Sequence, residues 1–198
     1  MTFYNVISAV LFLGAFRELL ASVQVGDRSA LMRAAVLALL DFNDAIYTSW
    51  TIETRGKKYG PSLMLIDLVN FTLLAGALVF LNPSGNNIFQ LELTTFKPWL
   101  TESTFWLLLG IYWVLILVWT WRAGVYTEPK YPRWLIKWAV LIAVFFFLES
   151  ALVAVLPGLV SKIGRVLAAV YPAMYILGIR NYTLRAGLDP AVAAPSNP

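Results

Sequence analysis

The chain has 198 residues, 60% of them hydrophobic and 13% charged, with a formal charge of +4. So few polar groups cannot clothe a water-soluble globule, and apolar runs of about twenty residues recur, the length a helix needs to cross a ~30 Å hydrocarbon core. The runs are continuous rather than alternating, which excludes a β-barrel. The lack of histidine and cysteine excludes imidazole bases, Ser–His–Asp triads, disulfides and thiolate metal sites.

Six segments follow in chain order, so the expected fold class is all-α: a polytopic membrane protein, a bundle of about six transmembrane helices. Met1–Asn5 has no basic n-region and no small-x-small site follows, so no cleavable signal peptide is expected. Segment one runs over Thr2–Ala21, with Arg17 and Glu18 near its far end. Gly26-Asp27-Arg28-Ser29 reads as a turn, with Ser29 as N-cap of segment two. Segment two, Ala30–Trp50, contains Arg33, Asp41, Asn43 and Asp44. After the polar loop Thr51–Gly60, Pro61 suits the first turn of segment three, Pro61–Leu81, which contains Asp67 and Asn70.

The longest connection is Asn82–Ser103, where alternation over Phe89–Leu93 admits a short strand. Segment four, Thr104–Trp121, carries no ionisable group and is expected to face lipid, or at least to line no polar path. Segment five, Arg133–Leu156, has Lys137 near its start and Glu149 near its end; segment six, Val160–Ile179, contains Arg165 and a kinking Pro172. Residues 1–183 thus read as one transmembrane domain and Leu184–Pro198 as a disordered Pro/Ala-rich tail.

With the N-terminus inside, Lys and Arg near the cytoplasmic ends number nine against five outside, so both termini are expected in the cytoplasm of a cell with a plasma (inner) membrane location. Trp119, Trp121, Tyr126, Tyr131, Trp134 and Trp138 then form an inner aromatic belt, with Trp99 and Trp106 at the outer face.

Two groups of polar residues fall within the spans. Asp44 and Asp67 lie roughly 9 Å from the inner ends of their segments, Asp41 and Asn70 roughly 13 Å. Asp41/Asp44 and Asp67/Asn70 are each spaced i, i+3 and present one face, and the ten-residue loop makes segments two and three antiparallel neighbours. No Lys or Arg shares that depth; Lys137 is nearest. A charged carboxylate at the bilayer centre costs about 2.5–3.5 kcal/mol on insertion scales. Such a group must hold protons, bind a cation, open onto water or recruit Lys137. The second group, Arg17, Glu18, Arg33, Glu149 and Arg165, lies in the outer leaflet and is expected to neutralise itself in interhelical ion pairs.

The function these residues point to is membrane transport: a channel or carrier subunit for a monovalent cation or proton, with Asp41, Asp44, Asp67 and Asn70 lining the path. No cofactor, catalytic residue or nucleic-acid partner is expected; the expected partners are lipid and a second copy or another membrane protein. The alternative is a non-transporting sensor, scaffold or accessory subunit. An intramembrane aspartyl hydrolase ranks third, since two carboxylates can share a proton and activate water.

Overall fold

The computed structural model describes residues 3–55, 60–81, 98–122 and 133–156, together with Val170, Met174, Leu177 and Gly178; side chains are described for 6–28, 30–42, 60–81, 101–122, 136–156 and those four. These residues form five helices: α1 (Phe3–Val25), α2 (Arg28–Arg55), α3 (Pro61–Leu81), α4 (Pro98–Arg122) and α5 (Arg133–Val155). Four stretches are long and apolar enough to cross a membrane, Val6–Val25, Pro61–Leu81, Thr101–Arg122 and Ile136–Val155. The chain is an all-α, multi-span integral membrane protein. Of segment six only Val170, Met174, Leu177 and Gly178 are described, all helical. The residues around Phe89–Leu93, Arg165, Pro172 and the tail lie outside the described residues.

The α1–α2 connection is as short as two helices allow, and its residues explain why. Gly26 takes φ 75°, a left-handed conformation that a Cβ would oppose. Its N–H donates to the Val23 carbonyl at 3.2 Å and the Asp27 N–H to the Ser22 carbonyl at 3.1 Å, the paired bonds of a Schellman stop. Asp27 then starts α2: its carboxylate accepts from the Ala30 N–H at 3.1 Å, and its carbonyl from Leu31 at 2.9 Å. The N-cap is therefore Asp27 rather than Ser29, which lies inside the helix. α2 also continues to Arg55, absorbing half of the expected polar loop. At α3 the Gly60 carbonyl accepts from Leu63 and Met64, with Pro61 in the first turn.

α2 is absent from the four apolar stretches because Arg33, Asp41 and Asp44 interrupt it. It nevertheless runs back along α1, its most extensive neighbour. Phe12 and Phe42 meet at 6.2 Å between ring centroids, and Ser8 reaches Asp41. The inward stripe of α1 is Ser8, Leu11, Ala15, Glu18 and Ser22, all buried, at alternating spacings of three and four. Asp67, Asn70, Leu74, Ala77 and Leu81 form the equivalent stripe of α3.

α4 corrects the expectation that segment four faces lipid. It packs extensively against both α3 and α5, and among the four span-length helices it is the most buried. Phe105, Trp106, Leu109, Tyr112 and Trp113 are all within 1% of complete burial. Freedom from charge suits a helix wrapped in other helices as well as one wrapped in lipid. Glycines let its neighbours approach: a Cβ on Gly110 would stand 3.0 Å from the Phe147 ring, and one on Gly76 would stand 3.3 Å from Leu108. The helix also begins at Pro98, six residues before the expected start, so it does contain an ionisable group, Glu102.

The aromatic belt needs the same correction. Trp106 and Trp119 are core residues, 0% and 3% exposed, and Trp106 stacks on Phe146 at 5.7 Å. Trp121, at 64% exposure, keeps the outward position expected of a belt residue.

Candidate functional site

Helix rotation places three of the four expected pathway residues inside the bundle. Asp41 is 1% exposed, Asp67 3% and Asn70 0%. Asp67 and Asn70 are one turn apart on the inward stripe of α3, which realises the single face that their i, i+3 spacing implies. The side chain of Asp44 lies outside the described residues.

The surroundings of Asp41 include a residue that sequence reasoning missed. The Ser8 hydroxyl on α1 donates to Asp41 Oδ1 at 3.2 Å, both groups being buried. Asp41 Oδ2 has no hydrogen-bond partner, and neither the oxygen nor the nitrogen of the Asn70 amide has one. The clue to Ser8 was in the sequence: it falls on the same three-four stripe as Leu11, Ala15 and Glu18, so it had to face wherever Glu18 faced. Ser22 and Thr120, by contrast, return their hydroxyls to carbonyls four residues earlier, Glu18 and Ile116, at 2.7 and 2.6 Å. Hydroxyls in an apolar helix satisfy themselves that way and need no neighbour. Ser8 faces across the helix pair instead.

The expected convergence of segments two and three is only partly realised. α2 and α3 touch, but each packs far more extensively elsewhere, α2 on α1 and α3 on α4. Among the described residues no group of three or more acidic side chains is placed to hold a metal ion. Lys137, the expected local counter-charge, is exposed on α5.

The outer polar group, expected to neutralise itself in interhelical ion pairs, is spread over α1, α2 and α5 among the described residues. Glu18 and Glu149 are buried, at 5% and 1% exposure. Arg33 is half-buried, with its guanidinium carbon 5.8 Å from the centre of the Phe105 ring, where a cation meets the negative face of the π-system. Arg17 is exposed, about 100° around α1 from its buried neighbour Glu18. Arg165 lies outside the described residues. Nearby, Ser103 and Ser150 exchange hydrogen bonds reciprocally: each hydroxyl donates to the other residue's carbonyl at 2.9 Å, with 3.1 Å between the two oxygens. This double link ties the start of α4 to the end of α5.

Among fully buried side chains of the described residues there are four carboxylates, Glu18, Asp41, Asp67 and Glu149, and no Lys or Arg. No protein-family profile, no curated protein and no solved structure matches the chain.

Proposed function

We propose that this protein moves a proton or a monovalent cation across the membrane, with Asp41, Asp67 and Asn70 as stations in the path and Asp44 one turn further along α2. The observation that carries this reading is the unfilled hydrogen-bonding capacity of two wholly buried groups, one Asp41 oxygen and both ends of the Asn70 amide. A buried polar atom costs about 1–3 kcal/mol when left without a partner, and a buried charge costs more. Helices built to be static do not retain such groups, because an apolar side chain at the same place would be more stable. Retaining them fits a site completed by something that comes and goes. Carboxylate and amide oxygens suit hard cations and protons alike.

In this reading both termini are cytoplasmic, as the excess of Lys and Arg at that side requires, and Ser8 holds one oxygen of Asp41 so that the other stays available. The test is flux into liposomes containing the purified protein, for protons and for potassium or sodium separately. Passage of one of these, with most of the flux lost in Asp41→Asn and in Asp67→Asn, is the expected result. Undiminished flux in Asp41→Asn/Asp44→Asn/Asp67→Asn would remove the mechanism. Silent liposomes would favour the non-transporting alternative.

A further inference from the structure

Arg17 is a cation on the wrong side of a membrane helix. The outward face of α1 is formed by Val6, Val10, Leu13, Phe16 and Leu20, all exposed and all apolar, and Arg17 sits in the middle of it. Val25 marks the end of the apolar stretch. Arg17 is eight residues earlier, so its Cα lies roughly 12 Å below that edge. Arginines near helix ends escape this situation by snorkelling to the headgroups. Here the geometry opposes it: Cα–Cβ bonds lean toward a helix's N-terminus, and for Arg17 that direction is deeper into the membrane. No hydrogen bond or ion pair joins Arg17 to another described residue, and its neighbour Glu18 is buried about 100° further around the helix.

Among the described residues no acid meets this face. In a second copy, oriented alike in the same membrane, the described carboxylates at this depth are the buried ones. Residues 157–183 contain no Asp or Glu at all. Two copies joined through this face would set one Arg17 beside the other, which like-charge repulsion disfavours. Charge complementarity from these described residues points to a different molecule.

We infer that the outward face of α1 docks a transmembrane helix of another protein, one that carries a single Asp or Glu on an otherwise apolar face at the depth of Arg17. Leu13, Phe16 and Leu20 pack against that helix, and the ion pair fixes its register, because an isolated charge on either partner is costly in hydrocarbon. The inference is independent of the proposed transport activity, since Arg17 is exposed on the outward face of α1 whereas Asp41, Asp67 and Asn70 are buried inside the bundle.

The test uses the full chain in phosphatidylcholine vesicles and, as probe, a synthetic poly-leucine transmembrane peptide with one Glu at matched depth. Association is followed by energy transfer, with the matching Gln peptide as control. The Glu peptide is expected to bind about fivefold more tightly than the Gln peptide. Arg17→Gln should abolish that difference and Arg17→Lys should restore part of it, with helical content and vesicle insertion checked for each variant. Equal binding of the two peptides to the native chain would overturn the proposal. So would a Glu preference that survives Arg17→Gln. A preference that vanishes when phosphatidylglycerol is added, with that lipid enriched around native chain but not Arg17→Gln, would assign Arg17 to an anionic headgroup and also overturn it.

Discussion

Asn70 offers a prediction whose sign separates two physical pictures. Its side chain is completely buried in α3 and neither polar atom is bonded. In Asn70→Ala, both unsatisfied atoms disappear, which returns about 1–3 kcal/mol. The truncation opens a space of roughly 30 Å³, which costs about 0.7 kcal/mol at ~24 cal/mol per Å³. The balance is a variant as stable as the native chain or up to about 2 kcal/mol more stable. An Asn that was well bonded in the folded state would behave oppositely, losing about 2–4 kcal/mol on the same change from its lost bonds, the partner atoms left unsatisfied and the same cavity. The assay is reversible unfolding in mixed micelles by titration with sodium dodecyl sulfate, read by tryptophan fluorescence. Alongside it, liposome flux should fall, since stability and transport are predicted to move in opposite directions. Destabilisation by 2 kcal/mol or more would refute the premise that the amide lacks a partner.

The packing of α4 predicts that Gly110→Ala destabilises by about 1–3 kcal/mol, because the new methyl meets three atoms of the Phe147 ring at 3.0–3.2 Å; the same unfolding titration measures it. Shrinking the ring in Gly110→Ala/Phe147→Leu should recover part of the loss. At the α1–α2 connection, Gly26→Ala is expected to cost about 1–2 kcal/mol through its positive φ alone, since a Cβ there would meet nothing within 4 Å. Gly26→Asn should cost less than Gly26→Ala, and equal losses would contradict the conformational explanation. For Ser103 and Ser150, each alanine substitution removes one hydroxyl-to-carbonyl bond and should cost about 0.6–1.7 kcal/mol, and no loss in either variant would mean the reciprocal bonds carry no energy.

The amino-acid sequence by itself determined where the chain is helical and that it lives in a bilayer. Those are local matters: a run of about twenty apolar residues must satisfy its own backbone in lipid, and only a helix does so along one segment. Pro61, Gly26 and Asp27 mark helix ends through their own φ preferences and side-chain oxygens, although choosing Asp27 over Ser29 required seeing which oxygen reached the Ala30 N–H. The pairing of Asp67 with Asn70 on one face was likewise readable from spacing.

Tertiary structure alone decided how each helix is rotated and which helices lie at the centre. A leucine or tryptophan is about as content against lipid as against another helix, so hydrophobicity cannot say that α4 is central or that Trp106 and Trp119 belong to the core. Arg17 and Glu18 are adjacent in sequence, yet one faces outward and the other is buried. The rotation of α1 is visible in its buried stripe, Ser8, Leu11, Ala15, Glu18 and Ser22, and it decides which partners are left to each charge.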